Sequence, residues 1–177
     1  MAVFAALAPI IPDCVAAASG SPMWCVNYSG PDKKGNRTAG LFFQNGGTGA
    51  TARGDGYSCL SFPSNVSHTP IEILERISPF TFLGKMIVRG SGGSGAYTGG
   101  CGQKILMRND SPGNVTVSFM AERTKIPAPG LFGGGPGACG EVLINGQPVD
   151  PKKTTALSPG DTLTLITPGG GGYGDVG

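Results

Sequence analysis

Side chains that carry chemistry are scarce in this chain of 177 residues, which has one histidine, one tryptophan and a charged fraction of only 14%. The single histidine, His68, argues against a zinc or iron site built from this chain alone, because such sites draw on several His or Cys ligands. Five cysteines are present, Cys14, Cys25, Cys59, Cys101 and Cys139, but no two stand in the C-x-x-C spacing of zinc or thioredoxin-type redox sites. Their odd number and wide separation read as free thiols of a reducing, cytoplasmic compartment. Thirteen basic residues against eleven acidic ones leave a net charge of +2, which supplies no field for a nucleic acid or an anionic membrane. No apolar run approaches the roughly 18 residues of a membrane span. Gly84-Lys85 is followed by Met86 where a Walker A loop needs Ser or Thr, so the chain carries no recognisable ATP loop.

Glycine and proline, by contrast, are abundant: 32 Gly and 15 Pro, roughly a quarter of the chain. Long helices are excluded at that level, yet a hydrophobic fraction of 39% argues for a packed, loop-rich chain rather than a disordered one. The length suits a single β-rich domain over residues 1–177. Residues 1–20 read as a short helix and lead-in loop, and residues 169–177 as a Gly-rich tail. The apolar start and Ala16-Ala17-Ala18-Ser19 allow a signal-peptide reading, but no basic residue precedes the run, and Pro9 and Pro12 interrupt it. Four N-x-[ST] sequons, at Asn27, Asn36, Asn65 and Asn114, are put down to chance in a chain rich in Ser and Thr.

Period-two alternation marks the strands. Val115, Val117, Phe119 and Ala121 share one face, and Leu163 and Leu165 alternate with Thr162 and Thr164. Shorter candidates lie at 41–43, 60–62, 85–88, 104–107 and 142–144. Asn145-Gly146 is a type I′ hairpin signal, since both central residues of that turn need positive φ. Asn109–Gly113 and Ser158–Asp161 are turn sequences of the same kind. Together these predict a mainly β fold, an antiparallel β-sandwich or barrel-like core with Gly-rich loops and one or two short helices. One helix is expected after Thr69-Pro70-Ile71-Glu72, with Thr69 as N-cap, Pro70 at the first position and Glu72 closing a capping box. Ile71, Leu74 and Ile77 would face the core, and Ser78-Pro79 would end it.

G-x-G-x-x-G occurs at Gly90, Gly135 and Gly169, but none of the three lies between a strand and a helix, which a dinucleotide fingerprint requires. Arg53-Gly54-Asp55 reads as a tight turn in a Gly-rich loop. His68, the one conventional base, is expected to be solvated or capping at the start of the short helix, so no nucleophile and base pair is visible.

Several ordered segments are distinctive together. They are Gly46-Gly47-Thr48-Gly49-Ala50, Gly54-Asp55-Gly56, Phe62-Pro63-Ser64-Asn65-Val66, Thr69-Pro70-Ile71-Glu72, Ser91 through Gly100, Pro129-Gly130-Leu131-Phe132-Gly133-Gly134, and Thr167 through Asp175 with Leu157 and Gly160-Asp161 before it. In this order they resemble the C-terminal region of the hydantoinase B family, which includes N-methylhydantoinase B subunits, part of 5-oxoprolinase and a subunit of acetone carboxylase. The resemblance implies a hydantoinase A type subunit as partner, with ATP on that partner. It also implies a divalent metal in an upstream part of the B subunit, and ring opening of a small cyclic amide such as hydantoin or 5-oxoproline. No cofactor or metal is expected on this chain, nor a nucleic acid or membrane partner. The chain then reads as a C-terminal fragment that scaffolds an active site within a hetero-oligomer. Arg53, Asp55, Asn65, Glu72 and Arg123 border the distinctive loops and are the candidate site residues. A non-catalytic β-sandwich interaction module, a truncated remnant and part of an acetone carboxylase-like enzyme are the alternatives. Three positions depart from the family pattern: His68 stands where Asn is expected, Cys101 where a bulky apolar residue is common, and Val176 where Pro usually follows the Asp.

Overall fold

The computed structural model describes residues 2–21 and 23–176. In chain order its elements are α1 (Ala2–Leu7), a 3-10 turn (Pro12–Cys14), β1 (Trp24–Pro31), β2 (Arg37–Gln44), α2 (Ile71–Ile77), β3 (Phe80–Ile87), β4 (Gln103–Asn109), β5 (Val115–Met120), β6 (Glu141–Ile144), β7 (Gln147–Pro148), β8 (Thr155–Leu157) and β9 (Thr162–Ile166). The strands form two antiparallel sheets, ordered β2-β1-β5-β8 and β3-β4-β9-β6-β7. Neither sheet closes on itself, so the sandwich is realised and the barrel is not.

Alternation explains why the sheets pack face to face. Trp24, Val26 and Tyr28 of β1 fall on one side of their strand, as do Val115 and Val117 of β5. From the second sheet Phe80, Ile105, Met107, Val142, Leu163 and Leu165 meet them in one apolar cluster. Tyr28, Phe42 and Phe80 are in mutual ring contact there, with Phe80 edge-on to both others. Asn145 and Gly146 both take positive φ and join β6 to β7, as the hairpin signal requires.

Some expectations need correction. Residues 60–62 form no strand; they lead into a turn over 62–64 in which the Asn65 amide donates to the Ser61 carbonyl (2.9 Å), and Pro63 brings no amide hydrogen with which to extend a ladder. Helix α2 begins one residue late, with Pro70 as N-cap and no side-chain cap from Thr69. The capping box is therefore not formed, and Glu72 is exposed. Only Leu74 of its apolar residues is buried, whereas Ile77 is 55% exposed, because a helix of two turns offers one contact row to the sheet.

A buried polar bridge joins the two sheets at one end. The Asn45 carbonyl, just beyond β2, accepts from Gln103 Nε2 and from Thr167 Oγ1, both at 2.9 Å. Thr167 Oγ1 in turn accepts from the Gln103 amide at 2.8 Å. Thr167→Val keeps the shape but leaves that amide unpaired in a site only 1% exposed. The expected cost is about 2 kcal/mol, read in thermal unfolding as a midpoint lower by roughly 4–8 °C.

From that bridge the chain runs through residues 167–173, all buried. Four successive amides go to three other segments: Gly169 and Gly172 to the Ala138 (3.1 Å) and Gly135 (2.9 Å) carbonyls of one loop, Gly170 to Gly100 (2.9 Å) and Gly171 to Ala18 (2.8 Å). In return Gly93, Ala50 and Leu131 donate to the carbonyls of Gly170, Gly171 and Gly172. The run named a tail from the sequence is thus an axis around which the other glycine runs assemble. At Gly170 a Cβ would overlap the Thr48 carbonyl, which shows what the missing side chains permit: backbones packed directly on backbones.

Candidate functional site

Thr48 and Gly49, which pack against Gly170 of the axis, line a cavity of about 520 Å³. Its floor is Val15, Ala16, Thr48 and Gly49. The lead-in segment is fixed there because the Tyr173 hydroxyl donates to the Pro12 carbonyl (3.0 Å), Ala17 donates to Ala50 (2.8 Å) and Ala18 to Pro129 (3.2 Å). Phe4 stacks on Phe62 with ring centroids 6.2 Å apart, and with Leu60 these give the cavity an apolar body. Its polar groups are Asp13, Cys14, Thr51, Arg53, Asp55 and Tyr57.

The turn that presents Arg53 is held locally. Thr51 and Gly54 exchange backbone bonds at 3.0 and 3.4 Å, and the Arg53 amide donates to Thr51 Oγ1 at 3.2 Å. The guanidinium itself has no hydrogen-bond partner among the described residues and is the one cation lining the cavity. Asp55 follows in the same loop; its Oδ1 accepts from the Thr98 amide (2.7 Å), leaving Oδ2 without a partner among the described residues. Arg53 and Asp55, both exposed, thus place a guanidinium and a carboxylate among the residues that line a largely apolar pocket. That combination suits a small ring bearing a carbonyl next to an N–H.

Of the five sequence candidates, the structure brings together Arg53 and Asp55. Asn65 sits at positive φ in the exposed turn after Phe62, outside the cavity. Glu72 lies on the exposed face of α2. Arg123 donates from Nη1 to the Pro127 carbonyl (2.9 Å) and lines a separate cavity of about 200 Å³ with Ala2, Ala5 and Leu131. Its role is to brace the loop ahead of Gly130. Sequence reasoning did not find the apolar lining from Phe4 and Val15, since only the fold carries the lead-in segment to the Gly46–Gly56 loop.

His68 is neither solvated nor capping. It is half-buried, with Nε2 3.1 Å from the Cys59 carbonyl and Nδ1 3.2 Å from Lys85 Nζ. The Lys85 donor assigns Nδ1 as acceptor and so places the imidazole proton on Nε2, toward Cys59. Burial holds the imidazole below its ordinary value, and Lys85 acts in the same direction against the opposing pull of the Cys59 carbonyl. The unfolded chain therefore takes up this proton first as pH falls below about 6.5, and stability drops from there until the folded imidazole also titrates. His68→Asn is expected to flatten this part of the profile, measured as the thermal midpoint of both proteins between pH 7 and pH 5.

No group of three His, Cys, Asp or Glu side chains among the described residues is placed to hold a metal ion. No described helix is long and apolar enough to cross a membrane.

Comparison with known proteins bears on the family and the fold. The sequence model of hydantoinase B/oxoprolinase matches residues 1–176. A 5-oxoprolinase of Saccharomyces cerevisiae is 40% identical over 114 residues, 58% of this chain and 8% of that protein. Among solved structures, an acetone carboxylase in a nucleotide-free state superposes with a TM-score of 0.77 at 25% identity, covering 96% of this chain and 28% of that one. An ATP-dependent caprolactamase from Pseudomonas jessenii has the same fold, with a TM-score of 0.72 at 21% identity over 97% of this chain and 32% of its own. The chain spans from 8% to 19% of the length of the curated relatives it matches.

Proposed function

The chain belongs to the hydantoinase B/oxoprolinase family, and on that footing we propose that it is the β-rich region of a hydantoinase B type subunit that opens cyclic amides together with an ATP-using hydantoinase A type partner in the cytoplasm. The observation that carries this reading is the Arg53–Asp55 cavity, built by the same loops that define the family resemblance. Arg53 would donate to the ring carbonyl, Asp55 Oδ2 would accept from the ring N–H, and Phe4, Leu60 and Phe62 would cover the methylene side. Orientation of the amide and exclusion of water are thus the contributions of this chain. ATP chemistry belongs to the partner, in keeping with a sequence that carries no recognisable phosphate loop. Likeness to acetone carboxylase supports a carboxylating relative as the second reading.

Mixing the purified chain and the upstream B region with a hydantoinase A type subunit tests the partnership by size-exclusion chromatography. A co-eluting complex is expected, and separate elution of the components would overturn it. Which cyclic amide is opened is then read by supplying ATP with 5-oxoproline, hydantoin or caprolactam in turn.

A further inference from the structure

The fold turns a lysine inward without giving it an anion. Lys85 of β3 stands opposite Ile105 of β4, which is fully buried in the core, so strand alternation sets both on the inner face of the sheet. The lysine side chain is half-buried and ends at the loop before α2, where Nζ donates to His68 Nδ1 at 3.2 Å. No carboxylate of the described residues lies within ion-pair distance of it; the ion pair they contain joins Arg108 to Asp110. An ammonium drawn out of water with a neutral ring nitrogen as its acceptor lacks the compensation that buried charges ordinarily have.

His68 is fixed from its other side. Its Nε2 donates to the Cys59 carbonyl at 3.1 Å, and the Asn45 side-chain nitrogen lies 3.4 Å from the same atom. Asn45 is only 2% exposed; its Nδ2 donates to the Val66 carbonyl (3.1 Å), and its Oδ1 is buried without a partner among the described residues. The ring therefore keeps one acceptor, Nδ1, and holds it against the lysine nitrogen. A nucleophile, a base within hydrogen-bond reach of it and a group that orients the base are the parts of an activated amine.

We propose that Lys85 is a site of reversible carbamylation by carbon dioxide, with His68 taking up the proton that the lysine nitrogen loses. The free amine attacks the carbon of carbon dioxide. A C–N bond forms, one C–O π bond breaks with its electron pair going to oxygen, and an N–H bond breaks with its proton passing to His68 Nδ1. No oxidation state changes and no group leaves. The products, a lysine carbamate and an imidazolium, form the ion pair that Lys85 lacks: Nδ1–H donates to the carbamate while Nε2–H keeps the Cys59 carbonyl, so both ring donors are satisfied. An aldehyde would leave an imine and a simple acyl donor a neutral amide. Of the three electrophiles, carbon dioxide alone puts a carboxylate on the lysine for the protonated ring to meet. Burial also holds the Lys85 amine below its ordinary value, against the opposing pull of Cys59, and so raises the share of free amine.

The test equilibrates the full chain in bicarbonate buffer, traps carbamates with triethyloxonium and maps them by peptide mass spectrometry. An ethyl carbamate on the Lys85 peptide is expected, with none on the exposed Lys33, Lys34, Lys125, Lys152 and Lys153. The label should be lost when carbon dioxide is removed before trapping, and lost in Lys85→Arg, which keeps the charge. His68→Gln should shift the onset of labelling at Lys85 to higher pH, which loss of a merely structural contact would not do; an unmoved onset would remove His68 from the reaction. Label spread evenly over the exposed lysines, or absent from Lys85, would overturn the proposal. Both of these outcomes are read on the unsubstituted chain, so they do not depend on either variant folding.

Discussion

Gly170→Ala is expected to destabilise the protein by at least about 3 kcal/mol, although it adds a single methyl group. The added carbon meets no side chain that could rotate away. Its three nearest atoms are the Thr48 carbonyl oxygen, the Thr48 carbonyl carbon and the Gly49 amide nitrogen, all of them backbone. Room could come only from moving the 46–50 loop off the axis. That movement would strain the bonds by which the loop holds the axis, from the Gly47 amide to the Pro168 carbonyl (3.0 Å) and from the Ala50 amide to the Gly171 carbonyl (2.9 Å). A midpoint lower by roughly 6–12 °C is the expected reading in thermal denaturation. Gly54→Ala is the control. A Cβ there meets nothing within 4 Å, so its effect should stay within about 0.5 kcal/mol. Equal effects at the two positions would show that composition alone, and not the packing of backbones around the axis, sets the demand for glycine.

This contrast also marks where reading the sequence succeeded and where it ran out. Strands β5 and β9 were legible because their apolar residues alternate, and β4 and β6 because turn sequences bound short apolar runs. The β6–β7 hairpin was legible because Asn145-Gly146 serves one backbone geometry particularly well. Strand β1 was not singled out, although Trp24, Val26 and Tyr28 alternate clearly; Gly30 and Pro31 at its end look like loop, and pairing on both sides by β2 and β5 overrides them. Three-residue β8 is too short for any period to register. The glycine runs identified the family but not their arrangement. Gly carries no side chain to alternate, so nothing in 167–174 distinguishes a central axis from a trailing end until its partners are in place. His68 was misjudged for a related reason. Its position beside Thr69-Pro70 suggested the start of a helix, whereas its partners come from the loop at Cys59 and from β3.

The candidate site divides in the same way. Arg53 and Asp55 were legible as polar residues in a distinctive loop, but the apolar lining of the cavity they border is not local. Arg53→Ala is accordingly expected to weaken binding of a cyclic amide by about tenfold to a hundredfold, the range a lost hydrogen bond to a charged donor produces. The affinities of 5-oxoproline and caprolactam, measured by NMR titration of the chain, provide the comparison. A ring carbonyl is common to both ligands, so both should lose affinity; 5-oxoproline also bears a carboxylate and should lose more if that group reaches the guanidinium. Stability should change little, because the Arg53 side chain holds no partner among the described residues. Arg123→Ala should behave in the opposite sense. Its guanidinium anchors the Pro127 carbonyl, so stability should fall while affinity holds. If instead the two arginines exchanged these effects, the ligand would belong in the smaller cavity between α1 and the loop at Pro129. Unchanged affinity at Arg53 with both ligands still bound would remove the guanidinium from the recognition of the ring.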